Sequence, residues 1–186
     1  MIVRPQAIPE VKLITPRIIR DARGFFCETY NSRSLAEAAG IDAQFVQDNH
    51  SLSADKWVLR GLHFQAPPYA QDKLVRVIRG AILDVAVDIR RGSPTYGRHV
   101  AAVINAQSWD QIWIPKGFAH GFCTLEPDTE VIYKVSAHYA PQCDKGLRWD
   151  DPALAIDWPV TAAHAILSPK DATQPMLSDL PDYFTY

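Results

Sequence analysis

The chain has 186 residues, 47% apolar and 22% charged, with a formal net charge of −2. That is ordinary for a globular protein and long enough for one full core, and no lysine or arginine run supplies the concentrated positive footprint of a nucleic-acid surface. No window approaches 18 consecutive apolar residues, and Pro5 and Pro9 interrupt the N-terminal stretch, so neither a membrane span nor a signal peptide is expected.

In chain order, residues 11–15 and 17–20, split by Pro16, read as short edge strands. Asp21-Ala22-Arg23-Gly24 is turn-like and leads into a strand-forming run at 25–30. The one good helix covers 32–39, with Asn31 or Ser32 as its N-cap and Gly40 as its stop. From residue 43 onward strand follows strand: 44–51, 57–65, 73–79, 81–89, 98–105, 110–115, 118–125 and 129–137. Gly80, Arg91-Gly92-Ser93-Pro94, Pro115-Lys116-Gly117 and Glu126-Pro127-Asp128 punctuate the series. So many strands with so little helix predict one all-β domain over residues 1–186, an antiparallel sandwich or barrel. The tail after Trp158, carrying Pro159, Pro169, Pro175 and Pro181, is expected to wrap the outside with short helical turns. Cys27, Cys123 and Cys143 are odd in number, far apart and form no CxxC pair. Free thiols in a reducing compartment fit them better than a disulfide framework or a zinc site, which points to the cytoplasm.

A strand's period of two assigns side chains to faces. Leu83, Val85, Val87 and Ile89 share one face, and Asp84 and Asp88 the other. Phe118, His120 and Phe122 lie together, as do Val131, Tyr133 and Val135. Lys73 sits on a row with Val75 and Val77, and His63 on a row with Gly61 and Gln65. A lysine, two histidines and a tyrosine on otherwise apolar or small-residue rows suggest a polar-bottomed pocket inside a barrel.

His63 is the best candidate for a general base, because an imidazole with an ordinary pKa of about 6.5 is poised for proton transfer near neutrality. A strand histidine bonded to its neighbours is the plainer alternative. Lys73 on an apolar row is costly to bury without an anionic partner, unless its ammonium snorkels to the barrel mouth. Tyr133, taken alone, also reads as a core tyrosine. Strict alternation puts Arg60 and His63 on opposite faces, so a shared pocket needs a bulge, with Gly61 the natural place for it.

Pro115-Lys116-Gly117-Phe118-Ala119-His120 resembles the second cupin motif, and the stretch from Gly61 to Gly80 resembles the first. The cupin metal site needs an HxH pair and a glutamate. Here Gln65 stands where the second histidine belongs and Lys73 where the glutamate belongs. A cation at that position repels a divalent metal, so the fold is expected to be a cupin-type jelly roll with no metal bound.

Five stretches then point one way: RGLHFQ, QDKLVRVIRGAILDVAVDIR, WIPKGFAHGF, EVIYKVSAHYAP and GLRWDDP. Together with DARGFFCETY near the start and LSPKDATQP near the end, they resemble the dTDP-4-dehydrorhamnose 3,5-epimerase family over nearly the whole chain. The resemblance implies epimerisation at C3 and C5 of dTDP-4-dehydro-6-deoxy-D-glucose, feeding dTDP-L-rhamnose synthesis. No cofactor is implied, since there is no net redox change. His63 resembles the family's base, Tyr133 its proton donor and Asp171 the carboxylate that pairs with the histidine, while Lys73 would stabilise the enolate oxygen. Arg23, Phe26, Glu28, Gln47 and Asn49 would hold the dTDP end, and Arg60 and Lys170 the diphosphate. His120 would lie near the sugar and Tyr139 could pack against it. Asp144 stands where the family commonly has a glutamate, with a shorter reach. The resemblance also implies a homodimer with exchanged N-terminal strands. A mono-epimerase of the same family is the nearest alternative. A non-catalytic sugar-nucleotide-binding cupin and a metal-dependent cupin oxygenase are more distant ones.

Overall fold

Two antiparallel sheets face one another in the computed structural model, which describes residues 1–186. The N-terminal strands are β1 (Ile2–Pro5), β2 (Lys12–Thr15), β3 (Ile18–Asp21) and β4 (Gly24–Cys27), followed by the helix α1 (Ser32–Ala39). Then come β5 (Gln47–Ser53), β6 (Leu59–Gln65), β7 (Lys73–Arg79), β8 (Ala81–Asp88), β9 (Arg90–Arg91), β10 (His99–Asn105) and β11 (Gln111–Ile114). The last strands are β12 (Phe118–Thr124), β13 (Thr129–Val135), β14 (Asp144–Gly146) and β15 (Phe184–Thr185). One sheet runs β1-β2-β11-β7-β13-β5 and the other β10-β8-β12-β6-β14. From β5 onward the chain crosses to the opposite sheet at nearly every step, the wiring of a cupin-type jelly roll. No helix is long and apolar enough to cross a membrane, and all three cysteines are free thiols.

Helix α1 forms where the sequence places it. Of its two candidate caps Asn31 takes the role: its Oδ1 accepts the Ser34 N–H at 3.1 Å, and Gly40 closes the other end at φ +66. Leu35 and Ala39 then bury against Ile14, Leu74 and Trp113 on the outside of the six-stranded sheet. Strand ends differ from the sequence pattern where a partner is missing. β5 begins at Gln47 because its partner β13 ends at Val135, and β4 stops at Cys27 because β3 begins at Ile18. The strands β9, β14 and β15, of two or three residues each, are too short for a period to show.

The space between the sheets is filled by Val75, Val77, Ile82, Ile104, Phe118 and Phe122 among others. Each such side chain contributes about 1.5–3 kcal/mol by leaving water. The apolar row of β8 does not face this space. Leu83, Val85, Val87 and Ile89 lie on the outer side, covered by Leu154, Leu177 and Leu180 of the C-terminal tail. Beyond Trp158 the tail has 3-10 turns at Asp171–Thr173 and Leu177–Asp179, with another at Pro152–Leu154 just ahead of it, and wraps the outside as the prolines suggest. Asp84 and Asp88 therefore point between the sheets, and neither is exposed at all. Asp88 is matched there by Arg90 at 2.7 Å, Ser93 at 2.6 Å and Thr95 at 2.6 Å. Burial pushes its carboxyl up, but these donors hold it below the usual carboxylate range.

The bulge that Arg60 and His63 require is present. On β12, His120 pairs with His63 and Phe122 with Arg60, so three steps on β6 oppose two on β12. Gly61 sits in this bulge at φ +121, and a Cβ there would lie 2.6 Å from Gly121 Cα. Only glycine fits that approach.

Candidate active site

Four strands deliver polar side chains to one cavity of about 370 Å³. His63 comes from β6, Lys73 from β7, Tyr133 from β13 and Asn49 from β5, with Gln47, Tyr139, Asp144 and Lys170 around the mouth. The β13–β5 register opposes Tyr133 to Asn49 and Val135 to Gln47, and β13–β7 opposes Val135 to Lys73. Period two then puts the lysine, tyrosine and amides on the same side.

His63 Nε2 is hydrogen-bonded to Asp171 Oδ1, a partner 108 residues away brought in by the tail. The histidine side chain is 32% exposed and the aspartate 4%, so the ring reaches the cavity while the carboxylate stays behind it. A carboxylate in that place fixes the tautomer and leaves the other ring nitrogen free to take a proton. Burial pushes the Asp171 carboxyl up. The hydrogen bond and charge of His63, the Ser168 hydroxyl and the Gly61 N–H outweigh that and hold it below the usual carboxylate range.

Lys73 forms the floor. Its Nζ donates to the His63 carbonyl at 3.3 Å. Burial lowers its pKa from 10.5 to about 8, against the charges of Asp84 and Asp144. Beneath it, His120 Nε2 lies 2.9 Å from Asp84 Oδ2, while Asp84 Oδ1 has no partner. Burial pulls the His120 imidazole below its ordinary value despite Asp84, and the charges of Lys73 and His63 add to this. His120 is thus a buried neutral ring beside the lysine. Burial raises the Tyr133 phenol, with Arg60 opposing and Asp144 reinforcing, so it stays protonated at pH 7.

At the mouth, Asp144 Oδ2 accepts the Tyr139 hydroxyl at 3.0 Å and is paired with Lys170. The shorter aspartate therefore reaches both neighbours. Gln47 ties the same rim, its Nε2 donating to Asn49 at 2.8 Å and its Oε1 accepting the Tyr139 N–H at 3.0 Å. Arg60 lies beside the cavity rather than in its lining, donating at 3.3 Å to the Ser53 hydroxyl and the Leu52 carbonyl.

Three expected residues stand apart. Arg23, Phe26 and Glu28 lie on or just after the β3–β4 hairpin, a two-stranded sheet of its own, and none lines the His63 cavity. Arg23 is bonded to Asp21, Phe26 is 68% exposed, and Glu28 lines a separate surface hollow that Arg17 and Ser34 also line. Within one chain the nucleotide set is therefore incomplete. Other members of the site were missed from the sequence. Gln65 is buried and fastens the rim by donating to the Tyr69 carbonyl at 2.7 Å and accepting the Ala140 N–H at 2.7 Å. Asp84 was legible only as a carboxylate opposite an apolar row. No three His, Cys, Asp or Glu side chains converge where one ion could bind them all.

A match to the family described as dTDP-4-dehydrorhamnose 3,5-epimerase runs over residues 5–179. The chain belongs to this family. Among the relatives, a dTDP-4-dehydrorhamnose 3,5-epimerase of Sinorhizobium fredii is 51% identical over 180 residues, covering 97% of this chain and 91% of that protein. One from Pseudomonas aeruginosa is 52% identical over 165 residues, 89% of this chain and 90% of its own. The crystal structure of dTDP-6-deoxy-D-glucose-3,5-epimerase from Legionella pneumophila, in complex with dTDP-4-keto-L-rhamnose, superposes with a TM-score of 0.93 at 44% identity. It covers 99% of this chain and 97% of that one. The likeness to dTDP-4-dehydrorhamnose 3,5-epimerases thus extends through the strands and the tail that build the cavity.

Proposed function

We propose that this chain is a dTDP-4-dehydrorhamnose 3,5-epimerase, an isomerase converting dTDP-4-dehydro-6-deoxy-D-glucose to dTDP-4-dehydro-L-rhamnose. Protons at C3 and C5 are acidic because each carbanion delocalises into the C4 ketone as an enolate. His63 removes the proton from one face, and Asp171 stabilises the imidazolium that forms. The Lys73 ammonium faces the C4 oxygen as negative charge develops there, a preorganised contact from a buried cation. Tyr133 returns a proton from the opposite face, which inverts the centre. Repeating the cycle at the second carbon completes the reaction, and since no carbon changes oxidation state, no cofactor is needed. The observation that carries this reading is the His63–Asp171 pair on a cavity that Lys73 and Tyr133 also line.

Gln47 and Asn49 take the nucleoside side of the ligand, and Arg60 and Lys170 the diphosphate, arginine being suited to two-point phosphate contact. Tyr139 packs against the sugar, and His120 lies near it, behind Lys73. The chain works as one jelly-roll domain and pairs with a second copy of itself. In that homodimer the exposed β3–β4 hairpin carries Arg23, Phe26 and Glu28 to the partner's cavity, which explains a set left incomplete within one chain. Three free thiols suit the reducing cytoplasm.

The test is to incubate the 4-keto sugar nucleotide with the protein in heavy water and locate the label by NMR. Deuterium at both C3 and C5 of an inverted product is expected. Label at a single carbon would make the protein a mono-epimerase, and no label would remove the proposal.

A further inference from the structure

We infer that Ser168 is a positioning residue for the proton-transferring pair, an inference that rests on the base role proposed for His63. The Ser168 hydroxyl donates to Asp171 Oδ2 at 2.9 Å and accepts the Asp171 N–H at 3.1 Å. Asp171 Oδ1 meanwhile holds His63 Nε2. Each carboxylate oxygen therefore has its own partner, one turned to the base and one anchored to the segment that carries it. The reciprocal pair of bonds closes a ring between residues 168 and 171, so the hydroxyl has one lone pair occupied and its proton directed at Oδ2.

Without that donor Oδ2 has no partner, and only the His63 bond at Oδ1 holds the carboxylate's last side-chain torsion. Ser168 is exposed while the Asp171 side chain is only 4% exposed, so a water that replaced the hydroxyl would be a mobile donor with no anchor in the chain. The segment itself is docked independently of Ser168. The Gln174 amide lies flat on Gly146, whose added Cβ would sit 2.2 Å from Gln174 Cδ, and Gly146 pairs with His63 across β14–β6. Arg148 N–H also donates to the Pro175 carbonyl at 2.8 Å. Removing the hydroxyl should thus loosen the pair without undocking the tail.

The experiment compares wild type, Ser168→Ala, Ser168→Thr and Asp171→Asn in steady-state epimerisation and heavy-water exchange across pH. Ser168→Ala should lower kcat about five- to tenfold with KM within about twofold, the range of one positioning contact. Ser168→Thr, which keeps the hydroxyl, should restore kcat. Unchanged kcat in Ser168→Ala, beside a strongly impaired Asp171→Asn, would overturn the role of Ser168 alone. A lowered melting temperature with no change in kcat would make Ser168 a cap of the turn and nothing more. Inactive wild type would instead strike at the proposed function.

Discussion

Replacing Lys73 with methionine should trade activity for stability. The ammonium is buried, and its pKa falls from 10.5 to about 8. Those 2.5 units correspond to about 3 kcal/mol at about 1.36 kcal/mol per unit, the cost of holding the charged form inside the fold at neutral pH. Lys73→Met keeps the length of the stem and drops the charge. The full gain will not appear, because Asp84 then keeps only His120 as a partner. The pH dependence is the cleaner signal. Between about pH 8 and pH 10.5 the unfolded chain holds a proton on Lys73 that the folded chain has released, so wild-type stability rises with pH through that window. The variant lacks this slope. Urea unfolding at matched protein concentration should show the stability difference between the two proteins changing by about 2 kcal/mol from pH 7.5 to 9.5, in favour of wild type. Epimerisation should fall by about 100- to 1,000-fold in the variant, the usual loss on removing an oxyanion-stabilising group. Wild-type kcat/KM should decline as pH rises through about 8. Parallel stability curves would show that Lys73 titrates normally and is not the buried cation described here.

Tyr133→Phe should retain proton exchange from the face of His63 yet lose inverted product; full inversion by that variant, read by NMR of the product, would strip Tyr133 of its role as proton donor. Gly61→Ala places a Cβ 2.6 Å from Gly121 Cα at φ +121; a cost of about 3 kcal/mol or more, hence a melting temperature lower by about 10 °C, is expected by calorimetry. Deleting residues 182–186 removes the Tyr186 ring from the Arg90 guanidinium, 4.9 Å away, and Phe184 from Phe64. Thermal unfolding should show a loss of about 1–3 kcal/mol, while the exchange rate per folded molecule stays within about twofold, since this clasp lies on the outer side of the sheet.

The strands and their faces were legible because β-structure writes its period into short apolar runs. Val131, Tyr133 and Val135 show this, as does the row carrying Lys73, Val75 and Val77. The sequence could not show which face of β8 the tail covers. Leu83, Val85 and Val87 look like a core row, and they are one, but it is the outer core beneath residues 154–180. The two aspartates consequently face inward, and Asp84 becomes a counter-charge for Lys73 at the floor of the cavity. The need for a bulge at Gly61 could be deduced from the three-residue spacing of Arg60 and His63. The His63–Asp171 pairing could not be deduced from spacing, because only the tail's path closes a gap of 108 residues. Arg23, Phe26 and Glu28 mark the opposite limit: a motif names them, and one folded chain leaves them away from the cavity.

In the proposed reaction one imidazole takes hydrogen from carbon beside a ketone. The most direct measurement is wash-in of deuterium at C3 and C5 by the His63→Asn protein, with nucleotide affinity followed in parallel by calorimetry. Exchange at both carbons should vanish while dTDP binding stays within several-fold of wild type. Exchange surviving at either carbon would mean that another group is the base.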